Sequence, residues 1–409
     1  MFTIQKIKGN SILISLKKIL RAEYKTISAI LYYLITYIIP KNKSLWVFGS
    51  WKGRNYSDNS KVFFEYICNY KKDINAVWIA KNESVFNHVK GLGYPVILYS
   101  SLKSKLLVAR AGVNVQTESN EDTGTYRVGN TKVIQLFHGS GGIKEAFVYG
   151  EMRGLKKALV KIYADNHSTS YWMVSSDYYK NRYPSLFECN PEKIRVTGTP
   201  RTDVILAYKK FKYFEDLKRL NRTLKFIAYT PTHRNFGQKN NEHLNAEFWG
   251  ALNSFLENNN FILFFKPHPL ELQKYLLSVV NYSNIILIKE DTVDGTTDFN
   301  EYMHYFDMLI SDYSSISSDY LLLDKPVIHY MYDRDTFEDQ FFRLNALDKF
   351  IAGPIVTTPT DLMKAIVQSF KEDTYKNVRR KSIKNAYKYI DTNNCERIYN
   401  SIMKIITNE

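Results

Sequence analysis

The chain has 409 residues, 44% of them hydrophobic and 24% charged, which is enough for two globular domains with packed cores and excludes a disordered or fibrous class. Lys and Arg number 56 against 41 Asp and Glu, and the net charge of +15 indicates either anionic partners or simply a well-solvated surface. The chain has no helix-turn-helix, RRM or KH signature and no cysteine spacing typical of a metal site or a disulfide framework, so we expect no nucleic-acid partner and a reducing compartment.

Two apolar segments open the chain. The segment from Ser11 to Arg21 has helical spacing, with Ile12, Leu13, Leu16, Ile19 and Leu20 interleaved with Lys17, Lys18 and Arg21. The segment from Thr26 to Ile39 is an uncharged run of 14 residues before Pro40, too short for a bilayer span of about 20 residues. We predict that both segments are helices at a membrane interface, and the alternative for the second is a core helix packed on the body. The start lacks the cleavage site of a signal peptide, so we expect the chain to stay in the cytoplasm.

From residue 44 onward, strand-like and helical segments alternate, which predicts βαβ units and parallel sheets. The strand-like runs are SLWVFGS, NAVWIA, PVILYS, GVNVQT and KVIQLFHGS, then KIRVTGTP, KFIAYTPTHR, FILFFKPHP, NIILIKE, DMLISDYSS and PVIHYMYD. Two α/β units of similar size predict a ligand cleft between them, at the carboxyl ends of strands. The predicted divisions are 1–40 for the membrane-associating helices, 41–190 and 191–370 for the two Rossmann-like units, and 371–409 for C-terminal helices.

The first strand-end motif is VIQLFHGSGGIKEAF. Its strand ends at Phe137, and His138, Gly139 and Ser140 follow, with Lys144 just beyond. A histidine can act as a general base at neutral pH, and small residues let an anion approach the backbone N–H groups. Taken alone, however, the pattern favours a glycine-rich turn with a structural histidine.

Two further motifs place arginine after a strand. In IRVTGTPRTD, Arg201 follows a turn, and most turns of this kind only connect elements. In FIAYTPTHR, the hydroxyl of Thr232 and the planar donor fork of Arg234 suit a phosphate. A capped helix start with a surface arginine is an equally good interpretation of the second motif by itself.

The last two motifs combine histidine, carboxylate and hydroxyl groups. In FILFFKPHPL, Lys266 and His268 follow five apolar residues, and two prolines fix the backbone on either side of the histidine. The stretch Phe306 to Asp333 delivers Asp312, then Ser314, Ser315 and Asp319. Serines at a helix start suit an anion, although an ordinary N-cap explains each serine as well. Five such motifs at matching strand ends are harder to explain as turns.

These residues resemble the CDP-glycerol glycerophosphotransferases, a family of teichoic-acid primases and polymerases. The resemblance covers most of the chain from about residue 46, through WVFGSWKGRNYSDNS, FHGSGGIKE, GTPRTD, YTPTHR, KPHP and SDYSSISSDYLLLDKPVI in the family's order. The chain departs from the family pattern in two places. Gly-Ser-Gly-Gly follows His138 instead of Gly-Thr-Pro, and His233 occupies the usual tryptophan position of Thr-Trp-Arg.

The resemblance implies an α/β, GT-B-like fold with two Rossmann-like domains facing a cleft, attached peripherally to the cytoplasmic face of the bacterial membrane. It implies a transferase that moves glycerol phosphate or ribitol phosphate from a CDP-polyol to a lipid-linked or oligomeric acceptor and releases CMP. The other functions considered are a GT-B glycosyltransferase using a nucleotide sugar and a non-catalytic, membrane-docked scaffold. The sequence leaves open glycerol or ribitol, primase or polymerase, and teichoic acid or capsule.

The resemblance also distributes roles among the motif residues. His138 is the expected general base, with His268 and Asp312 as the other catalytic residues. The expected acceptor-binding residues are Gly139, Ser140 and Lys144, and the expected donor-binding residues are Thr232, Arg234, Lys266, Ser314, Ser315, Asp319 and Arg201. The expected partners are CDP-glycerol or CDP-ribitol, a polyanionic acceptor and an anionic membrane surface, and the sequence requires no metal or other cofactor.

Overall fold

The computed structural model describes residues 27–138, 171–187, 189–234, 242–268, 271–289, 292–293, 297–334 and 347–407. Within these residues the chain forms two sheets in which every pair of neighbouring strands is parallel. The prediction of two α/β units with parallel sheets is therefore confirmed. The two sheets also share one strand order, since each starts in the middle, runs to one edge and then returns to the other side, as in Rossmann-like folds.

The first sheet has the order β3-β2-β1-β4-β5-β6-β7. Its strands are β1 Asn42–Phe48, β2 Asn75–Ala80, β3 Val96–Leu98, β4 Ala111–Gln116, β5 Lys132–Gln135, β6 Tyr171–Val174 and β7 Ile194–Val196. The helices of this part of the chain are α1 at 27–38, α2 Asp58–Tyr70, α3 Glu83–Gly91, α4 Leu102–Arg110, α5 Asp177–Phe187 and α6 Pro200–Leu206. β7 pairs with β6, so it belongs to the first sheet although the predicted division assigned residues from 191 to the second unit.

The second sheet has the order β10-β9-β8-β11-β12-β13. Its strands are β8 Lys225–Thr230, β9 Phe261–Phe265, β10 Ile285–Leu287, β11 Met308–Ser311, β12 Val327–Tyr330 and β13 Ile355–Val356. The helices are α7 Lys212–Leu220, α8 Ala246–Asn258, α9 Leu272–Val279, α10 Phe299–Tyr302, α11 Ile316–Tyr320, α12 Leu347–Phe350, α13 Pro359–Lys371, α14 Lys376–Ala386 and α15 Asn394–Thr407.

Helices cover both faces of the first sheet, because the side chains of its central strands are apolar on both faces. Leu45 and Val47 of β1 point to the face covered by α1 and α4, whereas Trp46 and Phe48 point to the opposite face. That opposite face is covered by α2, α3 and the last helix, α15, whose residues such as Ile398 are fully buried against it. The chain therefore returns to its first sheet after it has completed its second.

The helix α1 has one face on the protein and one face in solvent. Ala29 and Thr36 are buried, and the Thr36 hydroxyl accepts a 2.8 Å hydrogen bond from Gly129 N. Gly129 must be glycine here, since a Cβ would lie 2.5 Å from the Tyr33 carbonyl oxygen. The other face exposes large apolar side chains, of which Ile38 is 80% exposed. The segment predicted as an interfacial or a core helix thus packs on the body along one side, while the predicted helix at Ser11 to Arg21 lies outside the described residues.

Loops that leave the carboxyl ends of both sheets contact each other. Asp58 N, at the start of α2, donates a 3.2 Å hydrogen bond to Asp298, just before α10. The buried Lys61 ammonium on α2 lies 2.8 Å from the Glu301 carboxylate on α10. The carboxyl ends of the two sheets therefore meet at this joint. Among the described helices, none is both long enough and apolar enough to cross a bilayer.

Candidate active site

The carboxyl ends of β8, β9, β11 and β12, with the loops that follow them, form what we call the second edge. Arg234 lies at its centre, after β8, between two buried carboxylates. Its Nη1 lies 2.7 Å from Asp312 Oδ2 after β11, and its Nε lies 2.7 Å from Asp333 Oδ2 after β12. Thr232 donates to the same Asp312 carboxylate through its backbone N–H at 2.9 Å and its hydroxyl at 2.6 Å. Three strand ends are therefore joined by one ion cluster.

The electrostatics of the second edge keep this cluster charged. Burial by itself would raise the pKa of Asp312, but the Arg234 charge and the Thr232 hydrogen bonds outweigh it and hold that pKa below its ordinary value. Burial opposes charge on Arg234 in the same way, and the two carboxylates with their hydrogen bonds raise its pKa instead. The guanidinium also lies over the rings of Tyr313 and Tyr332, with its carbon 5.5 and 5.3 Å from the centroids.

His268 and Lys266 lie after β9, next to this cluster in the sheet order. The His268 ring stacks on the ring of His233, with centroids 4.6 Å apart and planes 23° apart. His233 Nδ1 in turn lies 3.4 Å from the Glu271 carboxylate. Burial lowers the pKa of Lys266, and the nearby Asp298 charge opposes that shift. His233, one of the two departures from the family pattern, is thus a direct neighbour of an expected catalytic histidine.

Ser314 and Ser315 lie where the sequence predicts, between β11 and the start of α11. The Ser314 carbonyl accepts hydrogen bonds from Ser317 N at 3.2 Å and from the Ser317 hydroxyl at 2.7 Å. Ser315 is the N-cap residue of α11, and its side chain makes no capping hydrogen bond. Both serines are partly exposed at the second edge.

Arg201 and Asp319 meet at the joint between the sheets. Arg201 Nη1 lies 2.6 Å from Asp319 Oδ2, and its Nη2 pairs with the Asp58 carboxylate. Asp319 is fully buried and also accepts a 2.9 Å hydrogen bond from the Tyr387 hydroxyl. The Arg201 N–H itself donates to the Asn59 side chain at 3.0 Å. The two residues that the resemblance assigns to the donor thus form a buried connection between α2, α6 and α11.

His138 lies at what we call the first edge, the carboxyl ends of β1, β4 and β5 with the loops that follow them. It follows Phe137, which has a left-handed backbone with φ of 56° and whose carbonyl accepts a 2.8 Å hydrogen bond from the Asn59 side chain. His138 Nδ1 lies 3.4 Å from the Thr117 carbonyl oxygen. Its ring lies 5.5 Å from the ring of Trp51. The expected acceptor-binding residues Gly139, Ser140 and Lys144 lie outside the described residues.

Sequence reasoning missed several residues of these two edges. Asp333 closes the last quoted motif and follows β12, so its strand-end position was a usable signal. Asp58 and Asp122 gave no comparable signal, because neither directly follows a strand-like run. In the part of the chain that the structure describes, His, Cys, Asp and Glu side chains form no group of three that could hold a metal ion.

A cavity of about 760 Å³ lies between β6, β7 and α15. Its lining includes Tyr171, Arg195 and Lys404, and none of the described predicted site residues is part of it. The cavity is therefore separate from the strand-end motifs that form the candidate site.

Comparison with known proteins places the chain among teichoic-acid enzymes. The family model described as CDP-Glycerol:Poly(glycerophosphate) glycerophosphotransferase matches residues 31–404. The teichoic acid glycerol-phosphate transferase of Staphylococcus aureus (strain NCTC 8325 / PS 47) is 27% identical over 352 residues, which cover 80% of this chain and 84% of that protein. The teichoic acid poly(ribitol-phosphate) polymerase of Bacillus spizizenii (strain ATCC 23059 / NRRL B-14472 / W23) is 30% identical over 256 residues, which cover 60% of this chain and 39% of that protein. The chain thus spans well under two thirds of the length of some relatives.

Solved structures agree on the fold. The wall teichoic acid polymerase TagF superposes with a TM-score of 0.70 at 22% identity, over 100% of this chain and 99% of that chain. The S. aureus MnaA–UDP structure superposes with a TM-score of 0.58 at 12% identity, over 90% and 97% of the two chains. Since the family model covers nearly the whole sequence, the chain belongs to the CDP-glycerol:poly(glycerophosphate) glycerophosphotransferase family.

Proposed function

We propose that this chain transfers glycerol phosphate or ribitol phosphate from a CDP-polyol to a hydroxyl of a lipid-linked or oligomeric acceptor, in the synthesis of teichoic acid or a capsule-type polymer. Membership in the glycerophosphotransferase family supports the reaction class. The observation that carries the proposal is the division of the motif residues between two edges. Arg234, Asp312 and Thr232 form one cluster at the second edge, near His268, whereas His138 lies at the first.

The reaction needs alignment and charge stabilisation more than covalent chemistry by the protein. In the proposed step the acceptor hydroxyl oxygen attacks the β-phosphorus of the CDP-polyol, while His138 takes the hydroxyl proton. A P–O bond to the acceptor forms, the bond from the β-phosphorus to the bridging oxygen breaks, and CMP leaves with that oxygen. The product is a phosphodiester, and the proton on His138 returns to solvent.

On the donor side, we propose that the second edge receives the pyrophosphate. Arg234 orients Asp312 and Thr232, so its loss would damage the donor site through these neighbours as well as through any direct contact. His268 and Lys266 supply further donors at the end of β9, and the N–H groups near Ser314 and Ser315 supply the rest. Asp319 and Arg201 would act by fixing the joint behind the donor, because each is already paired in the structure.

A donor panel tests the proposal against a sugar transferase that shares the fold. The protein is given CDP-glycerol, CDP-ribitol and a set of nucleotide sugars, each with a lipid-linked acceptor, and nucleotide release and product length are measured. We expect CMP release from a CDP-polyol only in the presence of acceptor, with growth of the acceptor by whole polyol-phosphate units. Turnover of a nucleotide sugar alone would show a glycosyltransferase, and acceptor binding without any turnover would show a scaffold.

We also propose that the protein is peripheral on the cytoplasmic face of the membrane, anchored through α1. The observation is that α1 exposes Leu31, Leu34, Ile35 and Ile38 along the side away from the sheet. A helix with such a face lies in the headgroup region with its apolar side chains inserted. Attachment there would keep the cleft near a lipid-linked acceptor and raise the acceptor's local concentration.

Vesicle flotation with anionic lipid tests this anchoring. Removing residues 1–40 would also remove the α1 packing on Gly129, so substitutions on the exposed face are the cleaner change. Ile35→Lys combined with Ile38→Lys should reduce flotation strongly and leave activity on a soluble acceptor unchanged. Leu277→Lys, at an exposed leucine of α9, is the matched control and should float like the unaltered chain. Equal flotation of the α1 variant would place the anchor elsewhere.

A further inference from the structure

The loop after β1 has an unusual backbone beside the proposed general base. Trp51, Lys52 and Gly53 are three consecutive residues in the left-handed region, with φ of 48°, 59° and 74°. Glycine adopts this region freely, but a tryptophan or a lysine there costs free energy and persists only where the surroundings enforce it. Such strain is concentrated at functional sites in proteins, so this loop is a candidate functional element.

Asp122 holds the loop through a buried carboxylate. Its Oδ1 accepts a 2.7 Å hydrogen bond from Lys52 N, and its Oδ2 accepts 2.8 Å hydrogen bonds from Thr117 N and Glu118 N. Gly53 fits closely against the same segment, since a Cβ there would lie 2.7 Å from Lys81 Cγ and 3.1 Å from the Asp122 carbonyl oxygen. Asp122 therefore ties the loop after β1 to the loop after β4, which also carries the carbonyl contacted by His138.

The result of this arrangement is an aromatic ring beside His138 and a cation on the next residue of the same loop. The Trp51 side chain is 37% exposed although its ring lies 5.5 Å from the His138 ring. The Lys52 ammonium is also accessible, and it lies 3.6 Å from the partly exposed Glu118 carboxylate. A partly exposed indole and an accessible ammonium on a backbone this constrained do not serve the core, because neither side chain is buried in it.

We propose that Trp51 and Lys52 form an acceptor subsite, in which Lys52 binds a phosphodiester of the polyol-phosphate chain and Trp51 packs against the polyol next to it. An ammonium is a point charge that suits a phosphate, and an indole offers broad apolar contact to the C–H face of a polyol. Glu118 would hold the ammonium in position until the phosphate displaces it. The terminal hydroxyl of the acceptor then lies beside His138. This inference rests on the proposed function and names its acceptor site.

The kinetic test varies the acceptor at saturating CDP-polyol. Lys52→Ala should raise the acceptor KM by about tenfold, as loss of a charged hydrogen bond does. Trp51→Ala should also raise the acceptor KM. Trp51→Phe should give an acceptor KM between those of the unaltered chain and Trp51→Ala, because the smaller ring keeps part of the contact. The donor KM should stay within twofold of the unaltered chain in all three variants. Lys72→Ala, at an exposed lysine beyond α2, is the matched charge control and should change neither KM.

A binding measurement keeps the subsite separate from the proposed reaction. A soluble glycerol-phosphate oligomer is titrated into the full chain and its Trp51→Ala and Lys52→Ala variants by calorimetry, at low and at high salt. Salt-sensitive binding that the variant loses supports the subsite even if no transfer activity is found with any donor. The proposal is overturned if both alanine variants bind the oligomer and keep the acceptor KM within twofold of normal. It is equally overturned if the donor KM rises in parallel with the acceptor KM, since the loop would then serve the nucleotide.

Discussion

The two edges are built in contrasting ways. At the second edge, ion pairs hold the side chains in place. Arg234 is paired with two buried carboxylates, and the backbone at Thr232 and Asp312 is ordinary. At the first edge, the backbone itself is strained, because Trp51, Lys52 and Phe137 all have positive φ. The contrast suggests that the second edge is a pre-formed charge template for a pyrophosphate of fixed shape. Under the proposed function, the first edge would instead hold side chains in set positions around the hydroxyl of an acceptor chain of variable length.

Replacing His138 should produce the largest functional effect and the smallest structural one. His138→Ala should lower turnover by roughly two to four orders of magnitude, the usual reach of a lost general base, with folding and donor affinity unchanged. Single-turnover rates, melting temperature and donor calorimetry measure the three quantities. His88→Ala, on α3 of the same unit, is the control. Near-normal turnover in folded His138→Ala would remove this residue from the mechanism.

Replacing Arg234 should combine a structural with a functional loss. Arg234→Ala leaves Asp312 and Asp333 buried without their partner, and the free energy of unfolding should fall by about 3–5 kcal/mol. Affinity for the CDP-polyol should fall by about 1.5–3 kcal/mol as well. Urea denaturation and donor calorimetry separate the two effects, and Arg234→Lys should keep charge but lose the fork geometry, giving a smaller loss of stability. Unchanged stability with lost affinity would mean that Arg234 serves the ligand rather than the edge.

The pH dependence of Asp122 tests whether a buried carboxylate also affects stability at the first edge. Burial raises the pKa of Asp122 from 3.8 to about 6. Between these two values folded Asp122 holds a proton that the unfolded chain lacks, so its own contribution to the free energy of unfolding should fall by about 3 kcal/mol as pH rises through this window and then stay level. Burial lowers the pKa of His304 and of His329 to about 4, which gives an opposite slope in any variant, so the fall should appear as the difference between the unaltered chain and Asp122→Asn in denaturation curves from pH 4 to pH 8. The same slope in both proteins would show that another group titrates.

The His233–His268 stack should give the smallest effect. His233→Ala removes a ring contact of the kind worth about 0.5–1.5 kcal/mol, so the donor KM should rise by about 2- to 12-fold. His233→Phe keeps a ring on His268 and should restore most of the donor affinity. A larger loss in the phenylalanine variant than in the alanine variant would mean that the His233 nitrogens, beside Glu271, matter more than the stack.

The positions of the motifs at strand ends explain how much of the candidate site could be predicted from the sequence. Parallel βαβ units bring every strand's carboxyl end to one edge, so Arg234, His268 and Asp312 were expected near each other from their motifs alone. The family and the two parallel sheets were also correct predictions, since apolar runs and motif order are local properties. The roles assigned to individual site residues remain predictions.

Other features depended on information that the sequence does not carry locally. The pairing of Arg234 with Asp333 joins residues far apart in the chain, and it follows from the adjacency of β8, β11 and β12 in the sheet. The resemblance assigns Arg201 to the donor, but its pairing with Asp58 and Asp319 belongs to a joint between two units. The positive φ at Trp51 and Lys52 could not be read from residue type, because the hydrogen bond that holds this loop joins Lys52 N to Asp122, 70 residues later.

The return of α15 to the first sheet has a consequence for how the chain folds during synthesis. Ile398 and Ile402 complete the core built around Trp46 and Phe63, although the ribosome makes them long after those aromatic residues. The first unit therefore leaves the ribosome with one wall of its core open, and that wall closes only once α15 has also emerged. Contacts of such long sequence separation form slowly, and exposed apolar surface in the interval favours aggregation. The helix α15 thus sets the time at which the first unit can complete its core.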